Sequence, residues 1–585
     1  MRSEKCLWFS FELTHLRSPI SNLQSEIKKL CFLISLLFFP TVINAQIKSD
    51  LPTGDPLEYY YRLLQLNGTV DETASFTLRP FTPSRKINDE TIHPWQLMTN
   101  RFLDAGKEGP AGIRYALIEP VWFQSWNSTL PRGVNDGAIW QGKGYNTALS
   151  AGILANWGPL HIRFQPQVGF VQNADFDLGD LQMPSGVFEY STPIRRIDNV
   201  RRFGPDPYSW FDPGDSYAEL RMWGLKAGFS NARFWTGPAI HNPLFFSYNA
   251  PGFKHVHLAT YRPLVSPIGD FEFKYQYGAL QKSDWLDDRP GDNLNSIVSL
   301  HIAYSPSFMN GLTIGFNRLF MDRYPAGFSG KWTQVKKVFE AVLRDNLPSE
   351  EDRTETTESN QMASIYYRWV LPGYGFEVYG EFGRNDYNMD WRDFRLQPDH
   401  HRAYLFGLLK TMSLSGNRLL SINIETTQLN ANRTTLTRGG NPWEAGPLGR
   451  WYIHRYPNFG FTNRGQIVGA GIGQVSQTQV LSTHLFHPKG SYGLKFARIS
   501  YADVFVDDFF SAIRRVNDPD IERWEVRNIE LMAGLSATRF LSNDLEISAA
   551  LDLSFIMNHN YVRYNDKVNA RFEITVRKHL EGWLR

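Results

Sequence analysis

The chain has 585 residues, enough for several soluble domains or one large closed sheet, and its formal net charge of +2 gives no argument for nucleic acid or an acidic partner. Aromatic residues make up 14% of it, with 41 Phe, 26 Tyr and 17 Trp, a richness that suits lipid-facing surfaces and interfacial girdles. Mean hydropathy is −0.36 and nothing after residue 45 stays apolar for the ~20 residues of a spanning helix, which excludes a helical membrane protein and leaves a barrel open.

In chain order, Lys28 and Lys29 form a basic n-region, Leu30 to Phe39 an apolar h-region too short to span, and Ile43-Asn44-Ala45 a cleavage site, making residues 1–45 an export signal and Gln46 the first mature residue. Translation is expected to begin near Ile27, because the stretch ahead of the basic pair is long for an n-region. Both cysteines, Cys6 and Cys31, precede the cleavage site, so the mature protein has no disulfide and no thiolate metal site. Residues 46–112 read as a small periplasmic helical or plug region. Asp55-Pro56 can start a helix over Leu57–Leu66, a second short helical pattern runs from Pro94 to Leu103, and Ala74–Phe81 can form one strand.

From Ile113 to the C-terminus the pattern is strand-like. Eighteen stretches are predicted: 113–127, 141–155, 160–171, 216–229, 231–239, 255–265, 270–281, 294–305, 311–320, 360–371, 375–387, 401–413, 418–429, 477–486, 491–505, 522–540, 544–557 and 562–577. Joins after even-numbered stretches are tight and rich in Gly, Pro, Asn and Ser, as at Asn156-Trp157-Gly158-Pro159, Ser230-Asn231 and Leu371-Pro372-Gly373-Tyr374. Joins after odd-numbered ones are mostly long: 172–215, 240–254, 321–359, 388–400, 430–476 and 506–521. Short turns on one rim and long loops on the other is the organisation of an outer-membrane barrel, with the short rim periplasmic. The predicted fold of residues 113–585 is therefore a closed antiparallel transmembrane β-barrel of about eighteen strands in the outer membrane of a Gram-negative bacterium.

Facing follows from the two-residue period. Val568, Ala570, Phe572, Ile574 and Val576 alternate with Asn569, Arg571, Glu573, Thr575 and Arg577, and Leu420, Ile422 and Ile424 with Ser421, Asn423 and Glu425. A lipid-facing arginine near the midplane costs ~2–4 kcal/mol, so the charged set belongs inside. A lumen carrying Lys274, Arg368, Arg571 and Arg577 beside Glu272, Glu377, Glu381 and Asp552 is expected to be partly closed by pairing across strands. In segment 321–359, Trp332 to Leu343 has helical spacing and reads as a loop helix on or in the barrel mouth, followed by the acidic run Glu350-Glu351-Asp352.

Three stretches resemble signatures of the Wzi-type capsule-assembly outer-membrane proteins. They are Asn135 to Gly144 (NDGAIWQGKG), His241-Asn242-Pro243-Leu244 with Ser247 to Phe253 (SYNAPGF), and Trp451-Tyr452-Ile453-His454 with Gly460 to Gln466 (GFTNRGQ). The resemblance implies an eighteen-stranded barrel with periplasmic helices and a lectin-like role in holding capsular or extracellular polysaccharide at the cell surface. One departure is the end of the chain, Trp583-Leu584-Arg585, where many such barrels end on an aromatic residue.

Sugar recognition needs flat apolar faces for the ring and planar polar groups for hydroxyls, and an anionic polymer adds a preference for arginine. The candidate polysaccharide-binding residues are Arg438, Trp443, Arg450, Trp451, His454 and Tyr456 in loop 430–476, with Tyr208 and Trp210 in loop 172–215, where Arg201 and Arg202 also lie. Enzymatic readings find no support: Gly-x-Ser-x-Gly is missing, Gly469 to Gly473 lacks nucleotide-loop spacing, and His400-His401 and His484 with His487 have no accompanying ligand set. No catalytic residue, metal or cofactor is expected. Expected partners are the polysaccharide, outer-membrane lipid and, at the periplasmic rim, polysaccharide export machinery. The alternative function is a general diffusion or nutrient channel.

Overall fold

The computed structural model describes residues 50–580 except 52, 84–94, 96–112, 180–196, 287–292, 326, 341–358, 386–390, 397, 399–400, 430–450, 454–459, 503–505, 507–509, 512, 516 and 543. The export signal, the bulk of the Pro94–Leu103 helix, the acidic run 350–352 and the last five residues lie outside the described set.

Eighteen antiparallel strands close into one barrel. They are β1 (Ile113–Asn127), β2 (Gly144–Trp157), β3 (Leu160–Phe164 continued by Gln167–Val171), β4 (Tyr208–Asp212 continued by Tyr217–Met222), β5 (Leu225–Ser230), β6 (Lys254–Thr260 continued by Leu264–Ser266), β7 (Gly269–Gln281), β8 (Leu294–Pro306) and β9 (Leu312–Arg323). The second half comprises β10 (Asn360–Leu371), β11 (Phe376–Asn385), β12 (Arg402–Leu414), β13 (Arg418–Gln428), β14 (Gln477–His487), β15 (Gly490–Ser500), β16 (Ile529–Ser542), β17 (Leu545–Met557) and β18 (Lys567–Lys578). The seam closes where β1 pairs β18, from Val121 opposite Arg577 to Asn127 opposite Arg571.

The two-residue period sorts the side chains as the sequence implies. On β18, Val568 is 63% exposed and Phe572 44% on the outer wall, while Asn569 is buried and Arg571 reaches Asp552 at 2.7 Å across the lumen face. Trp157, Trp223, Phe308 and Tyr374 stand exposed at the tight turns, the aromatic girdle of the periplasmic rim.

The strand assignments need correction in three places. The stretches 216–229 and 231–239 are not consecutive strands. The tight turn is Trp223-Gly224, with φ of +54° and +88°, the geometry of a two-residue hairpin, so β4 runs from Tyr208 and β5 ends at Ser230. Residues 231–253 then leave the wall and fold into the lumen. The predicted strand 522–540 begins only at Ile529, because Arg523–Val526 forms a 3₁₀ turn, and the predicted strand Ala74–Phe81 shrinks to Leu78–Arg79.

The lumen is filled from both ends. From the periplasmic side, helix α1 (Pro56–Leu66) starts at Asp55, whose side chain accepts from the Leu57 N–H at 2.9 Å, and packs Tyr60, Leu63 and Leu64 against Leu409, Leu419 and Phe486 of the wall. Arg62 of α1 pairs with Glu377 of β11, which Arg368 of β10 also holds at 2.7 Å. Asp55 pairs with Arg577, and Asp50 with Arg221 at 2.8 Å. Burial would raise the Asp50 carboxyl, but Arg221 and Lys226 hold it below the usual carboxylate range. Trp95 donates to the Gly490 carbonyl at 2.9 Å. From the outer side, segments 231–253, 451–453 and 460–475 form a core around Phe245, Phe246, Trp451, Tyr452 and Phe461. A short ribbon, Leu78–Arg79 with Trp235–Thr236, joins the two fillings.

The predicted loop helix lies elsewhere than in the mouth. Helix α2 (Gly327–Lys336) and the 3₁₀ turn Lys337–Phe339 run over the outer wall. Tyr275 there donates to the Val335 carbonyl at 2.6 Å, and Val338 packs on Val298 and Phe320. The strap covers Arg318, an outward-facing arginine, which donates to the carbonyls of Val338 and Glu340 and to Gln361. This is how the wall tolerates a charge where lipid would otherwise meet it.

Candidate functional site

The three signature stretches converge inside the barrel. Gly137 donates to the Tyr248 carbonyl at 2.6 Å, Asn135 Nδ2 to the His241 carbonyl at 3.0 Å, and Gln466 Nε2 to the Gly137 carbonyl at 3.2 Å. The Tyr452 hydroxyl donates to the Leu244 carbonyl at 2.8 Å and accepts from the Ala470 N–H at 2.8 Å. Glu425 of β13 gathers the N–H groups of Ile240, His241 and Asn242 at 2.7–3.1 Å, together with the Tyr379 hydroxyl at 2.9 Å. A buried carboxylate surrounded by four donors is compensated without a cation. Gly252 must be glycine, since a Cβ there would lie 1.8 Å from the Asn231 carbonyl oxygen. These motifs therefore build the inner core, and the surface that remains open lies above it.

That surface is a pocket of about 330 Å³ on the long-loop rim, a size adequate for a small ligand. Trp140, Phe176, Tyr501 and Tyr561 give it ring faces, and Arg132, Arg201, Asn199, Gln474, Asn528, Glu530, Asn560 and Asn569 give it polar groups. Below it lies a second cavity of about 170 Å³ that shares Arg132, Trp140, Gly471 and Tyr501 and reaches Asp136 and Gln141. Glu530 anchors the floor: it accepts from Arg132 at 2.9 Å, from Ser554 at 2.6 Å and from the Tyr501 hydroxyl. Burial pulls the Arg132 pKa down, but Glu530 beside it more than compensates and the net shift is upward. Burial pushes the Asp136 carboxyl up to about 6, against the pull of Arg571. The amide oxygen of Asn528 is buried with no donor among the described residues.

Backbone strain clusters around this pocket. Val475, Ala502, Asn560 and Tyr561 have φ of +45°, +40°, +59° and +58°. A β-branched residue in the left-handed region is a genuine outlier, and such strain persists only where surrounding structure enforces it, often at ligand sites.

The nominated site residues separate. Trp451 is 1% exposed, edge-on to Phe245 at 6.2 Å and packed over Gly383, so it is a core residue and offers no face to a ligand. Tyr208 is half-buried and its ring lies 5.9 Å from Phe203, which in turn meets Trp140 at 5.0 Å, so it buttresses the pocket wall. Trp210 covers Gly169 inside β3 with its indole N–H unpaired among the described residues. Arg438, Trp443, Arg450, His454 and Tyr456 lie outside the described residues. The pocket adds Arg132, Trp140, Tyr501 and Tyr561 as candidate site residues that the sequence reading does not single out. Trp140 sat within a signature stretch, and Tyr561 lies just before the stretch predicted as the last strand.

A family model described as capsule assembly protein Wzi matches residues 132–571, three quarters of the sequence. The chain belongs to the Wzi capsule assembly family. In structure it is similar to Wzi of Escherichia coli, an outer-membrane protein involved in group 1 capsule assembly and a carbohydrate-binding β-barrel, with TM-score 0.55 and 12% identity over 91% of this chain and 99% of that one. Weaker similarity extends to OccAB2 of Acinetobacter baumannii (TM-score 0.37, 9% identity, 79% and 97% covered) and OprD of Pseudomonas aeruginosa (0.35, 6%, 80% and 94%). No curated protein matches the sequence. The Wzi match begins at Arg132 on the pocket floor and ends at Arg571 beneath it, so the family's shared region takes in nearly the whole site.

Proposed function

We propose that this protein sits in the outer membrane after export and cleavage of residues 1–45, and binds capsular or extracellular polysaccharide without catalysing a reaction on it, retaining the polymer at the cell surface. The observation that carries this reading is an outward pocket with aromatic faces and polar floor, set above a lumen that the protein's own chain fills. Sugar rings stack on the faces of Trp140 and Tyr561, and amides and hydroxyls below take up the ring hydroxyls. The outer belt accounts for the lipid partner, and the periplasmic rim around α1 is where export machinery would dock.

Deletion of the gene followed by measurement of cell-attached and shed polysaccharide tests the role. Polymer is expected to be made and increasingly shed, and unchanged attachment would refute anchoring. Trp140→Ala with Tyr561→Ala is expected to weaken glycan binding while leaving the barrel folded. The channel alternative predicts conductance from the intact protein in planar bilayers, which a filled lumen does not favour.

A further inference from the structure

The pocket contains an arginine that makes no ion pair among the described residues. Arg201 is partly buried on the pocket wall. Its Nη2 donates to the Leu178 carbonyl and to Asn560 Oδ1, the latter at 2.7 Å, while Nε and Nη1 make no hydrogen bond among the described residues. No carboxylate among the described residues pairs with it. Its neighbours differ: Arg132 holds Glu530, and the adjacent Arg202 holds Asp175. The acid next in reach, Asp177, turns its carboxylate onto the Gly179 N–H at 2.9 Å. Glu530, the pocket's own carboxylate, is already taken by Arg132, Tyr501 and Ser554.

The Nε and Nη1 groups of Arg201 keep contact with the open pocket, where an anionic ligand group can meet them directly. The fork of Arg201 is held by Asn560, itself at φ +59°, and Gly179 has no room for a Cβ because Asn560 Nδ2 would lie 2.8 Å away. Arg201 is thus held on the wall of a pocket that Phe176 and Tyr561 also line. Ring stacking selects a sugar, and a guanidinium with N–H groups to spare on the same pocket wall selects an anionic group such as a carboxylate through a charge-assisted hydrogen bond.

We propose that the pocket recognises an acidic sugar residue, a uronate or a sugar bearing a carboxylate substituent, and that Arg201 is the group that binds the carboxylate. This rests on the polysaccharide-binding reading and adds the class of sugar. The test uses oligosaccharides released from the surface polysaccharide of the cells that carry this protein, in native form and after chemical reduction of carboxylates to alcohols. Binding to detergent-solubilised protein is measured by titration calorimetry for the parent, Arg201→Gln and Arg201→Lys. The native fragments are expected to bind about tenfold or more tighter than the reduced ones, from one lost charge-assisted contact. Arg201→Gln is expected to bind both forms equally and weakly, and Arg201→Lys to keep part of the preference, weakened by salt. Equal binding of both forms to the parent overturns the acidic-sugar inference and leaves the anchoring role standing. A preference that survives in Arg201→Gln overturns the assignment to Arg201. If neither form binds the parent, the polysaccharide-binding reading falls and this inference with it.

Discussion

Glu377→Gln tests what holds the periplasmic filling in place. Glu377 is fully buried, and Arg62 and Arg368, each with 2% of its side chain exposed, both converge on it. Arg62 also donates to the Pro238 carbonyl at 2.8 Å, and Arg368 to Gln65 Oε1 and the Ser75 carbonyl, both at 2.9 Å. One carboxylate therefore ties helix α1, the wall and segment 231–253 together. The glutamine keeps the shape but leaves two buried guanidinium groups without a counter-charge, and its amide N–H₂ faces one of them. Breaking a buried pair from one side costs about 3–5 kcal/mol, against about 0–1 for an exposed pair. Urea unfolding in detergent, followed by tryptophan fluorescence, reads the loss, and planar-bilayer recording reads whether the loosened filling now passes ions. Arg62→Met/Arg368→Met/Glu377→Leu is expected to recover most of the stability, because it removes all three charges together. A Glu377→Gln protein within about 0.5 kcal/mol of the parent, the range of an ordinary surface change, would refute the reasoning.

Gly407→Val is expected to prevent folding, since a Cβ there meets the Tyr379 ring at 2.1 Å and dislodges the hydroxyl that helps hold Glu425, whereas Gly373→Ala, with open space around it, is expected to be silent; heat-modifiable mobility on gels distinguishes them. Deleting residues 327–340 uncovers Arg318 on the lipid face and is expected to cost about 2–4 kcal/mol in vesicle-refolding titrations, with Arg318→Leu restoring the loss. His579, beyond the end of β18, lies between Glu119 at 2.9 Å and Glu546 at 3.3 Å; burial lowers its pKa but hydrogen bonds to both carboxylates prevail and raise it from 6.5 to about 8. The folded state thus binds the proton more tightly, so this contribution, about 2 kcal/mol for a shift of that size, is present below pH 6.5 and lost as pH rises through 8. His579→Gln should flatten the stability profile between those values, and an unchanged slope would count against the pairing.

The wall was legible because its physics is local. A side-chain period of two, turn residues at one rim and charges confined to one face fix strand number and facing without reference to distant contacts. The failures occur where the chain leaves the wall. Trp235 and Thr236 read as strand and do pair, but with Leu78 and Arg79 inside the lumen rather than with β4, and no local pattern encodes which partner wins. Arg318 breaks the apolar face of β9, and only the strap beyond it, which places the Val338 and Glu340 carbonyls over the guanidinium, makes that break tolerable.

Trp451 departs from its expected exposure for a related reason. Loops of soluble proteins run over the surface, so a tryptophan among arginines in a long loop reads as an exposed binding face. A wide barrel reverses this, because its lumen gives loops an interior to fold into. Trp451 and Tyr452 are drawn there, where Tyr452 closes on Leu244 and Ala470 and buries itself completely. What such a signature specifies is the scaffold beneath the pocket. The pocket-lining groups then come from segments that the scaffold holds at the rim: Arg201 and Phe176 from the loop after β3, Tyr501 just past the end of β15, and Tyr561, itself largely buried, from the short loop before β18. A buried core fixed by the chain's own hydrogen bonds does not depend on the charge or ring content of such rim residues, so the pocket's chemistry can change on an unchanged barrel.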